Sequence, residues 1–98
     1  MFDIETTGDL AEICAPTTTD GESEAATFCY GYIVGAGQLY AEVIRAKSIE
    51  PIACPATVPT LDEIRTNFLT WSEANPQFAG ERAIDGLMRS AAATWPCS

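Results

Sequence analysis

Four cysteines, Cys14, Cys29, Cys54 and Cys97, are the residues of this 98-residue chain best equipped for chemistry. No two of them form a C-x-x-C pair and the chain has no histidine, so a zinc ribbon, a mixed Cys/His metal site and a thioredoxin-type redox site are all unsupported. An even number of cysteines in so small a chain points to structural disulfides and an oxidising compartment. Without histidine the usual catalytic triads and the commonest general base are missing. Asp62, Glu63, Glu81 and Asp85 read as helix-start and exposed-face carboxylates, where acids complement the helix dipole. Arg45, Arg65, Arg82 and Arg89 read as solvent-face partners of nearby acids. The expectation is therefore a non-enzyme, with no catalytic residue, cofactor or metal.

The elements that position these residues must come from one domain, since the chain is too short for two cores. Its hydrophobic fraction of 47% and charged fraction of 19% are those of a globular protein. With 14 acidic residues against 5 basic ones, the net charge of -9 would repel a phosphate backbone or an anionic membrane surface. Nucleic acid is excluded as an expected partner. A basic protein partner, met faster through electrostatic steering, fits the charge. The longest nearly polar-free run, residues 30–37, is far short of the ~20 residues of a membrane span. The opening MFDIE has neither a basic nor an apolar leader region, so export would mean that a leader has been removed.

Periodicity predicts an all-α, compact four-helix domain with helices at about 9–15, 22–47, 60–74 and 80–95, preceded by a disordered segment over 1–8. The first helix carries Leu10, Ile13 and Cys14, takes Asp9 or Thr7 as its cap, and ends before Pro16 at a polar PTTTDG loop. In the second, Ala25, Phe28, Cys29, Tyr32, Gly35 or Ala36, Leu39, Val43 and Ile44 recur every three or four positions. Three prolines make residues 48–59 an extended connection. Thr60 and Glu63 form a capping-box pattern ahead of a face of Leu61, Ile64, Phe68 and Trp71. The last helix has a stripe of Ala83, Ile84, Leu87, Met88, Ala91, Ala92 and Trp95. Trp71 and Trp95 are expected in the core.

Four cysteines allow three pairings, and spacing alone does not choose among them. Short connections make consecutive helices antiparallel neighbours. The end of helix one then meets the start of helix two, and the end of helix four meets the start of helix three. That topology favours Cys14–Cys29 and Cys54–Cys97.

The stretch FCYGYIVGAGQLY, residues 28–40, places Gly31 and Gly35 one turn apart. No strand precedes it, which argues against a phosphate loop. The expected role of these two glycines is a close helix-packing seam, within one chain or between two. For partner binding the candidates are Tyr30 and Tyr40, expected to be exposed, Glu50 and Ile52 on the proline-rich connection, and Asn75 and Gln77 on the 73–81 turn.

The ordered pattern of a helix ending in cysteine, FCYGYIVG, CPATVPTLDEI, FLTWSEANP and a terminal WPC resembles the Rap/Tai family of immunity proteins over nearly the whole chain. Cys29, Gly31, Tyr32, Ile33, Gly35, Cys54, Pro55, Pro76, Pro96 and Cys97 carry the resemblance as framework residues. Gly37 and Gln38 stand where similar sequences often have an acidic residue. The resemblance implies a periplasmic, often dimeric protein of bacteria that use type VI secretion. It would bind and block a peptidoglycan amidase, so the expected partner is a cell-wall hydrolase, of basic character if the charge is a guide. The competing expectation is a small periplasmic chaperone of the HdeA type or an envelope-assembly adaptor.

Overall fold

The computed structural model describes residues 3–16 and 22–97. Its elements are α1 (Thr7–Cys14), α2 (Glu22–Arg45), α3 (Leu61–Ala74), a short 3-10 turn (Pro76–Phe78) and α4 (Ala83–Thr94). The four expected helices are all present. The interhelical loop over residues 17–21 and the first two residues of the expected lead-in lie outside the described residues.

Helix α1 starts earlier than its periodicity suggested. Thr6 is the cap: its hydroxyl accepts the Asp9 N–H at 3.1 Å, and Asp9 Oδ2 accepts the Thr6 N–H at 3.1 Å. The disordered lead-in therefore needs correcting over residues 5–8. Thr7 N–H donates to Glu81 O at 2.7 Å, Gly8 N–H to Ala79 O at 2.9 Å, and Ala83 N–H to Glu5 O at 3.0 Å. These bonds zip the start of α1 to the segment before α4, and Thr7 is fully buried there.

Helix α2 ends at Arg45 in a Schellman turn. Ser48 N–H reaches Val43 O and Lys47 N–H reaches Ile44 O, each at 2.9 Å. Lys47 takes the left-handed conformation this motif requires, with φ of 59°. Thr60 and Glu63 form the predicted capping box of α3. Asn75 closes that helix by donating its side-chain amide to Trp71 O at 2.8 Å.

Short α1 packs against all three other helices, and α3 packs against α2 and α4. The buried core is Leu10, Cys14, Cys29, Ile33, Phe68, Ala83 and Leu87. All of it lies in α1, the first half of α2, α3 and α4. The second half of α2 and the connection that follows contribute no residue to this buried set.

Several faces are rotated from expectation. Leu39 is 66% exposed and Leu61 is exposed; Ile84 is exposed too, because the buried stripe of α4 runs through Ala83, Gly86, Leu87 and Ser90. Trp71 and Trp95 are half-buried. Trp71 stacks between Phe68, at 6.4 Å between ring centres, and Phe78, at 5.7 Å.

The glycine seam is a further correction. Gly31 and Gly35 are exposed, and a Cβ on either would meet nothing within 4 Å. The close-packing glycine is Gly86, where a Cβ would fall 2.1 Å from Thr7 Oγ1. Periodicity put the two glycines of α2 on a common stripe but could not say which side of the helix faced the core.

Candidate functional site: a braced, apolar connection

Both disulfides pair as expected, Cys14 with Cys29 and Cys54 with Cys97. Their settings differ. Cys14 and Cys29 are 0% exposed, whereas Cys54 and Cys97 are both exposed. The first holds α1 to α2 inside the core. The second ties the proline-rich connection, residues 46–60, to the end of α4.

That connection is held at intervals along its length. The Schellman turn fixes its start. The Tyr40 hydroxyl accepts N–H donors from Ile52 at 2.8 Å and Ala53 at 3.3 Å, and lies 3.3 Å from Ala53 O as its own acceptor. Cys54 N–H donates to Trp95 O at 2.7 Å beside the disulfide. Cys97 Sγ lies 3.7 Å from Pro51 O, a contact and not a hydrogen bond because a bridged sulfur carries no proton. The Thr60 cap fixes the other end. Three prolines further restrict the backbone.

A segment this restrained still leaves apolar side chains uncovered. Val58 is 93% exposed, and Ile49 and Ile52 are exposed as well. Ile52 also lines an open groove of about 620 Å³ with Gly80, Glu81, Asp85, Met88 and Arg89. The groove thus joins the connection to the last residues of the 73–81 turn. Arg89 is fixed there by Glu81, with Nε to Oε1 at 2.7 Å, and lies 4.4 Å over the Phe78 ring.

The partner-binding candidates separate on this geometry. Glu50, Ile52 and Gln77 are exposed. Tyr30 and Tyr40, expected to be exposed, are half-buried. Tyr40 braces the connection from behind. Tyr30 donates its hydroxyl to Asp62 and accepts one from Arg65 Nη1 at 3.0 Å. Asn75 is half-buried and spends its amide on Trp71 O.

Arg65 corrects another expectation, since among the described residues it pairs with no carboxylate. Its Nε donates to Cys14 O at 2.6 Å, and its guanidinium lies 5.3 Å over the Tyr30 ring. It acts as a strap across the buried disulfide. Its Nη2 is buried with no hydrogen-bond partner among the described residues. Arg45 does pair as expected, with Glu42. Helical spacing could not distinguish these two arginines, because Arg65 reaches a carbonyl 51 positions away.

Among the described residues, Asp9 and Tyr32 are shifted. The backbone N–H of Thr6, and next that of Glu5, lower the Asp9 carboxyl below its ordinary value. Burial raises the Tyr32 phenol, and the charge of Asp85 adds to it. Neither belongs to a catalytic constellation. Among the described residues no cluster of cysteine and carboxylate groups could hold a metal ion, and no helix is long and apolar enough to cross a membrane.

The family model for Rap1a immunity proteins matches residues 6–97. The chain belongs to the Rap1a immunity protein family. No curated protein and no solved structure matches it. The span of the Rap1a match begins at the Thr6 cap and ends at Cys97, so it takes in both disulfides and the whole connection. Membership in an immunity family points to a toxin-neutralising role and hence to a protein partner.

Proposed function

We propose that this protein is a non-enzymatic, periplasmic immunity protein that neutralises a peptidoglycan amidase delivered by type VI secretion. The observation that carries the reading is the connection between α2 and α3. It is restrained by a disulfide, the Tyr40 hydroxyl and prolines, yet presents Ile49, Ile52 and Val58 to solvent. Restraint of this kind lowers the ordering cost of binding, and exposed apolar anchors supply the contact energy.

The two disulfides suit an oxidising, extracytoplasmic compartment. The net charge of -9 favours rapid encounter with a basic hydrolase. The homodimer implied by family resemblance has an available surface in the uncovered Gly31 and Gly35 face of α2.

The test is co-purification with envelope amidases encoded beside the protein, followed by an assay of peptidoglycan hydrolysis. A stable complex in which hydrolysis stops supports the reading. Absence of any complex at micromolar concentrations overturns it.

A further inference from the structure

We infer that Cys54–Cys97 is a site of selective thiol–disulfide exchange with dithiol reductants, and that opening it releases the connection while the helical core stays folded. The inference rests on reading the connection as the toxin-facing segment, because its consequence is loss of that segment's restraint.

The two bridges differ in what a reductant can reach. Exchange requires a thiolate to approach a sulfur along the S–S axis, so access controls the rate. Cys54 and Cys97 are exposed. Cys14 and Cys29 are 0% exposed and sit among Leu10, Ile33 and Phe68. Arg65 further fixes the backbone of Cys14 through its carbonyl. Reaching that pair requires the core itself to open.

The bridges also differ in what they hold. Neither Cys54 nor Cys97 belongs to the buried core. Their bond joins the middle of the connection to the tail beyond Thr94. With it broken, the connection keeps the Cys54 N–H to Trp95 O bond as its nearest tie to the residues after α4, and the Tyr40 hydroxyl as its nearest tie to α2. One is a lone backbone hydrogen bond and the other the set of bonds to one hydroxyl, ties outside the buried core of the kind that open locally more readily than a core does.

The reaction balances as two exchanges. A thiolate of the dithiol attacks Cys97 Sγ, the Cys54–Cys97 bond breaks, and Cys54 leaves as a thiolate that takes up a proton. The second thiol of the reductant, once deprotonated, attacks the mixed disulfide and expels the Cys97 thiolate, which is then protonated. Two electrons reduce the protein bridge, and the reductant leaves as a cyclic disulfide.

The oxidised protein, treated with dithiothreitol at neutral pH and quenched at intervals with iodoacetamide, is mapped by peptide mass. Cys54 and Cys97 are expected to become alkylated together, ~10-fold or more faster than Cys14 and Cys29. Helical circular dichroism at 25 °C should persist at that stage. Amide exchange at residues 49–54 should rise. Equal alkylation of all four cysteines, earlier labelling of Cys14 and Cys29, or unchanged exchange in the connection would overturn the inference. The paired variant Cys54→Ser with Cys97→Ser should show the same raised exchange without reductant. These readouts use no partner, so their failure is separate from a failure to bind an amidase.

Discussion

Thr7 fills the notch above Gly86. The Thr7 hydroxyl lies 3.2 Å from Glu81 O and 3.1 Å from Arg82 O, and its side chain occupies the space that a Cβ on Gly86 would need. This contact brings α1 and α4 together. Gly86→Ala should therefore lower stability by about 1–3 kcal/mol through overpacking. Gly31→Ala and Gly35→Ala should do the reverse, each adding up to ~1 kcal/mol, since they are exposed helical positions with open space around them. Urea denaturation of the three variants compares the signs directly. A loss at Gly31 or Gly35 would show that a second chain covers that face.

Lys47 offers a stabilising substitution of another kind. It occupies the left-handed position of the Schellman turn, with φ of 59°, where a side chain costs roughly 1 kcal/mol. Lys47→Gly should raise the melting temperature, offset in part by the greater freedom of glycine in the unfolded chain. A lower melting temperature would contradict the left-handed turn.

Tyr40→Phe should loosen the connection without disturbing the core. The hydroxyl serves Ile52 and Ala53, so their amides should lose about 1 kcal/mol of protection in hydrogen exchange. Amides of Leu10 and Phe68 should be unchanged. Equal loss across both regions would mean that the connection and the core open as one unit.

Asp9 and Tyr32 each give stability a pH dependence. Asp9 has a lowered folded-state pKa, so the unfolded chain takes up its proton first on acidification. Its stabilisation is present above the ordinary value of 3.8 and is lost as pH falls through the folded value. Tyr32 has the opposite shift. Its favourable neutral form holds below the ordinary value of 10.0, and stability falls as pH rises beyond it. Denaturation of the protein against Asp9→Ala should give a stability difference that narrows below pH 3.8. A constant difference across that range would contradict the assignment.

The parts of the fold written in local pattern were legible in the sequence. The Thr60 and Glu63 box, the helical period of α2 and the short connections led to four helices and both cysteine pairings. The start of α1 was not found because its box ends in Asp9, which is short enough to be taken for a cap itself. Gly31 and Gly35 were misplaced because a small-residue stripe has no intrinsic inward side. Gly86 could have been found: Ala83, Gly86, Leu87 and Ser90 follow the helical spacing of a buried face. The roles of Tyr40 and Arg65 were not legible, since each acts on backbone groups brought close only by the tertiary fold. The candidate site was half visible, as a proline-rich segment without its brace.

The most direct measurement is inhibition of a cognate amidase by the wild-type protein and by Ile49→Asp with Val58→Asp. Both positions are exposed, so the doubly substituted protein should keep its helical signal and melting temperature. The account predicts stoichiometric inhibition by wild type and a loss of ~10-fold or more in affinity for the variant, about 1.4 kcal/mol or greater. Undiminished inhibition by a folded variant would contradict the assignment of the connection as the toxin-facing surface.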